Sequence, residues 1–111
     1  MGLNEYIDKC RRNKYAANNI KKNIQADICK HIKRQRVRRM SSKVDVSFFW
    51  IEENMKRDKD NIAFAKKFIL DAMVQMQIIP NDNWKWINNL SDKFAVNKAN
   101  PRIIVTIEEI S

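Results

Sequence analysis

The sequence predicts an α+β fold: a long basic N-terminal helix and a second helix packed on a small mixed β-sheet, in a single domain spanning residues 1–111. Three features of the apolar pattern predict it. Isoleucines recur every fourth position at Ile20, Ile24, Ile28 and Ile32, which is helical spacing. The period then falls to two at Val44, Val46, Phe48 and Trp50, as in a strand. It returns to 3.6 through Ile62, Ala65, Phe68, Ile69, Ala72, Met73 and Met76, before a last alternation at Ile103, Val105 and Ile107.

The first helix is expected from about Ala16 to about Arg38. Neither Pro nor Gly interrupts residues 3–79, and Ser41 and Ser42 close the run. Lys21, Lys22, Lys30, Lys33 and Arg34 mostly fill the faces away from the isoleucines, as in a helix with one side on a core and the other in water. In the strand at 43–51, Phe49 and Ile51 break the alternation, so its second half is expected to be buried on both faces. Asp60 or Asn61 is placed to cap the second helix, and Pro80 to end it. Trp84 and Trp86 suggest a strand that resumes at Phe94 and Val96. Asn97 to Pro101 form a turn, and Ile104, on the opposite face of the last strand, suggests that this strand is central.

The chain has 22 Lys plus Arg against 13 Asp plus Glu, and the surplus is local. Residues 9–39 hold 12 bases and a single acid, Asp27, whereas residues 40–111 hold 10 of each. Clustered cations gain free energy by releasing counterions from a polyanion, so a phosphate-rich partner is expected. The proposed contacts are Arg11, Arg12, Lys14, Lys21, Lys22, Arg34, Arg36, Arg38 and Arg39.

Other function classes are excluded. A single glycine leaves no glycine-rich phosphate loop. No apolar run reaches the 18 residues of a membrane span, and no signal peptide opens the chain. Cys10 and Cys29 are too few for a disulfide scaffold, which favours a reducing, intracellular setting. Both read as small buried residues, and the methionines as core filler. His31 reads as structural, and Tyr6 and Tyr15 stay ambiguous. Trp84 and Trp86 could stack on unpaired bases, but aromatics at strand spacing more often belong to a core or dimer interface, and that reading is preferred.

Chemistry falls on Asp58, Asp60 and Asp82. Asp58 and Asp60 flank Lys59, so in an extended segment they point the same way. Asp82 lies beyond the second helix; were that helix straight, about 18 residues would separate the two sites by roughly 27 Å. One site therefore requires a bent start, or a chain that carries Asp82 back. Three converging carboxylates would need a cation such as Mg²⁺ or Mn²⁺, which suits phosphoryl transfer. The plainer alternative is that these acids are caps and turn residues.

Arg57-Asp58-Lys59-Asp60-Asn61-Ile62, a helix bearing Lys67 and Asp71-Ala72, and then Ile79-Pro80-Asn81-Asp82 resemble the signature of RusA-type Holliday junction resolvases. Leu3-Asn4-Glu5-Tyr6-Ile7, Asn13-Lys14-Tyr15 and Asn100-Pro101-Arg102 resemble its phage and prophage branch, so the likeness covers nearly the whole chain. Two departures stand out: the family usually has a short strand before Leu3, and its cellular member has a shorter helix between the positions of Asp60 and Asp71.

The resemblance implies a Mg²⁺-dependent (Mn²⁺ possible) homodimeric endodeoxyribonuclease that cleaves four-way and related branched DNA. It also implies a phage or prophage origin and a cytoplasmic setting in a bacterial host, with neither membrane nor small-molecule partner. By position, Asp58, Asp60 and Asp82 would be both metal ligands and catalytic residues. Lys67 would stabilise charge at the scissile phosphate, or else form an ordinary ion pair with Asp71, a recurrent acid of less certain role. The alternative is a non-catalytic, basic DNA-binding protein, with an RNA-binding accessory protein a weaker third.

Overall fold

The computed structural model describes residues 14–110. Helix α1 (Lys14–Arg34) is followed by strand β1 (Val44–Glu52), helices α2 (Lys59–Ala63) and α3 (Lys66–Gln75), and strands β2 (Ile87–Val96) and β3 (Arg102–Glu109). The fold is α+β, with helices on a three-stranded mixed sheet of order β2-β1-β3. β1 pairs in parallel with β2 and antiparallel with β3. A parallel neighbour requires a crossover, and α2 and α3 supply it.

The alternation in β1 builds the core. Val44, Val46, Phe48 and Trp50 are at most 1% exposed and cluster with Ile69, Leu70 and Met73 of α3, which are themselves buried. The rings of Phe48 and Trp50 stack at 5.5 Å. Ile28 and Ile32 of α1 pack on the same cluster, as their spacing predicts. Cys29 is a buried free thiol whose pKa is raised by burial, which fits its reading as a small apolar residue. Met40 and Met73 fill core as expected, but Met55 is 86% exposed in the loop after β1.

Five expectations need correction. Among the described residues the last strand is an edge, not the centre: β1 lies between β2 and β3, and Ile103 and Ile104 are about half exposed. Trp84 and Trp86 belong to a turn, and β2 begins only at Ile87, because Asn81 and Asn83 bend the backbone. Asn81 Oδ1 accepts from the Asn83 N–H, and Asn83 Oδ1 from the Lys85 N–H. The first helix ends at Arg34, with Arg36 in the left-handed region at φ 53°. The cap of the second helix is Asp58 rather than Asp60 or Asn61, and the helix itself breaks in two at Phe64 and Ala65.

Both outer strands carry a carboxylate tied to a neighbouring segment. Glu109 at the end of β3 accepts from the Ser41 N–H and from the Ser41 and Ser42 hydroxyls, and pairs with Arg38. The Ser41 hydroxyl above all, then Arg38, holds this carboxyl down to about 2. Asp92 of β2 accepts from the Trp50 indole at 2.9 Å and from Lys66 at 2.7 Å. Burial alone would raise its pKa, but these two donors outweigh burial and hold it below the usual range.

Candidate functional site

A tight reversal after α3 positions the site. Gln77 adopts φ 61°, its N–H donates to the Val74 carbonyl, and the Ile78 N–H donates to the Met73 carbonyl. These are the two bonds of a Schellman motif, with Gln77 in the place that glycine normally takes. Ile78 and Ile79 then anchor in the core at 4% and 0% exposure. The chain therefore runs back along α3 instead of away from it.

That return brings Asp82 beside Lys67, the second residue of α3. The Lys67 ammonium is 2.6 Å from Asp82 and 3.1 Å from Asp71, so two half-buried carboxylates converge on one cation. The bonds to Asp82 and then Asp71 raise the pKa of Lys67. The ion-pair reading of Lys67 is met, since it forms the i,i+4 pair with Asp71, and it also grips Asp82. Asp71 was underrated. Its signal was the four-residue spacing from Lys67, which places both on one helix face.

Asp58 and Asp60 lie elsewhere in this arrangement. Asp58 occupies the cap position of α2 in an extended conformation, without a side-chain capping bond, and Asp60 is in the first helical turn. The expectation that the two point the same way from an extended segment fails for Asp60, because the helix already includes it. Both are exposed. Among the described residues, no group of three or more His, Cys, Asp or Glu stands close enough to hold a metal ion. Carboxylate oxygens are the right donors for Mg²⁺, but within one chain Asp58, Asp60 and Asp82 do not form its ligand set.

The basic surface is only partly described. Lys22, Arg34, Arg36, Arg38 and Arg39 are exposed. Arg11 and Arg12 lie outside the described residues, and for Lys14 and Lys21 only the helical backbone is described. Cys10 and Tyr6 also lie outside. A cleft of about 840 Å³, lined mostly by apolar side chains but also by His31, Glu52, Arg57 and Arg102, lies between α1, the α2–α3 break and β3. None of the four acids lines it, so it is not the carboxylate site.

Trp84 is the residue that sequence spacing misassigned. It is 93% exposed, whereas Trp86 is half-buried. No described helix is long and apolar enough to cross a membrane. Comparison of the chain with protein-family models, curated proteins and solved structures finds no match.

Proposed function

We propose that this protein is a structure-selective endodeoxyribonuclease acting on four-way and related branched DNA, as its resemblance to RusA-type resolvases implies. One observation carries the reading. The Schellman reversal at Gln77 returns Asp82 to Lys67, joining two residues of the resemblance that a straight helix would hold far apart. Electrostatics adds support, since the exposed cations of α1 and the segment after it suit a polyanion.

In this reading Lys67, 64% exposed on its side chain, stabilises charge on a bound phosphate, and Asp71 and Asp82 orient it. Mg²⁺ enters through the resemblance. Its donor chemistry is right but its ligand set is not assembled in one chain, so no step is derived through it. A homodimer fits the symmetry of a junction, and the outer edges of β2 and β3, unpaired among the described residues, offer a second copy places to add.

The rival reading is a non-catalytic DNA-binding protein. It is favoured by the Asp82 carboxylate being neutralised by Lys67 rather than left open. The discriminating experiment is nicking of a synthetic four-way junction in Mg²⁺ or EDTA. Nicking in Mg²⁺ that EDTA and Asp58→Asn each abolish, with junction binding retained, supports the nuclease. Binding without nicking at any Mg²⁺ or Mn²⁺ concentration supports the rival.

A further inference from the structure

The turn that follows Asp82 holds a tryptophan in water. A tryptophan side chain offers about 150–250 Å² for burial, and this fold forgoes nearly all of it at Trp84. The ring is not there because the chain is slack. Its turn is braced by Asn81 Oδ1, which accepts from the Asn83 N–H at 3.0 Å, and by Asn83 Oδ1, which accepts from the Lys85 N–H at 3.1 Å. The Asn83 carbonyl accepts from the N–H groups of Trp86 and Ile87, and the Trp86 carbonyl accepts from Val44 at the start of β1. An exposed indole on a backbone fixed from both sides is ready to bind without further ordering.

We infer that Trp84 is the stacking platform for an unpaired nucleobase, beside the Lys67–Asp82 pair. A protein or membrane interface would set such a ring within an apolar patch. Here the flanking Asn81, Asn83 and Lys85 are polar and exposed, and the other aromatic of the turn, Trp86, is half-buried. A nucleobase fits this setting, because it offers a flat π face to the indole and polar edges to the asparagines. Lys85, the next residue, supplies a cation for the adjoining phosphate. Asp82, two residues away, holds the Lys67 ammonium at 2.6 Å. The inference deepens the nuclease reading in its placement near that site, but base stacking itself requires no turnover.

The test is binding of Trp84→Ala and Trp84→Phe to three probes: a single strand carrying 2-aminopurine, a four-way junction with unpaired thymines at its centre, and a fully paired duplex. Trp84→Ala should weaken the first two by about 5-fold to about 100-fold, remove the 2-aminopurine quench, and change duplex binding by less than about twofold. Trp84→Phe should recover most of the loss. Equal affinity of Trp84→Ala and parent for the single strand overturns the proposal. So does an equal loss on all three probes, or conversion of a dimer to a monomer by Trp84→Ala, which would make the ring an interface residue. If the parent never nicks DNA but the probe selectivity holds, the nuclease reading fails and this one stands.

Discussion

Asp92 shows how one carboxylate can hold two layers together. It satisfies the indole N–H of Trp50, a ring only 1% exposed, and pairs with Lys66 at the start of α3, whose ammonium also lies 5.5 Å from the Phe48 ring. Truncation would leave the indole N–H buried without its acceptor, at a cost of about 1–3 kcal/mol. Asp92→Ala should therefore lower the melting temperature by roughly 4–8 °C per kcal/mol lost, and Asp92→Asn, which keeps an acceptor, by less. Equal melting of parent and alanine variant in a thermal scan would refute this role. Lys67 is different: it is more than half exposed, so its two ion pairs add little to stability.

Among the elements, the reversal after α3 does the most for the site and was the least legible. Helix ends are normally announced by Gly or Pro, and here the left-handed position is filled by Gln77, with Pro80 three residues beyond. Gln77→Gly removes the Cβ penalty and should stabilise the fold by about 0.5–1 kcal/mol, seen as a higher urea midpoint with unchanged slope. A lower midpoint would show that the Gln77 side chain contributes contacts the turn needs. The break at Phe64 and Ala65 was hidden for a similar reason, since neither residue is a helix breaker. β1 was legible nearly to the residue, because one face of it is buried and a period of two records that directly. Trp84 and Trp86 mimicked the same period, but the Asx turns at Asn81 and Asn83 override it. β3 carries apolar residues on both faces, which reads as a central strand, yet it is an edge with Ile103 and Ile104 exposed.

At the scale of the whole molecule, charge and fold separate into two jobs. The basic surplus lies on α1 and the segment after it, and the acids proposed for chemistry lie on α2, α3 and the return from α3. If the cations engage about six phosphates, DNA affinity should fall about a thousandfold between about 50 and about 200 mM salt, measured by fluorescence anisotropy. A flat salt dependence would remove phosphate contact from the account. Glu109 anchors the basic segment to the sheet by tying Ser41, Ser42 and Arg38 to β3. Its folded pKa of about 2 lies below the ordinary 4.5, so its contribution is full above about pH 4.5 and disappears as pH falls toward 2. Glu109→Gln should melt below the parent at neutral pH and converge with it near pH 2. A constant gap across that range would show that the carboxylate charge is not responsible.

In the proposed reading Lys67 and Asp82, joined by the return of the chain after α3, act as one unit on DNA phosphate. A double-mutant cycle on the rate of junction nicking in Mg²⁺ tests it most directly, using Lys67→Met, Asp82→Asn and the pair. Residues that act as a unit lose their effect together, so each single change should slow nicking by about 100-fold or more, and the double change should add little. Losses that multiply across the double variant, or single variants that nick at the parent rate, would contradict the account.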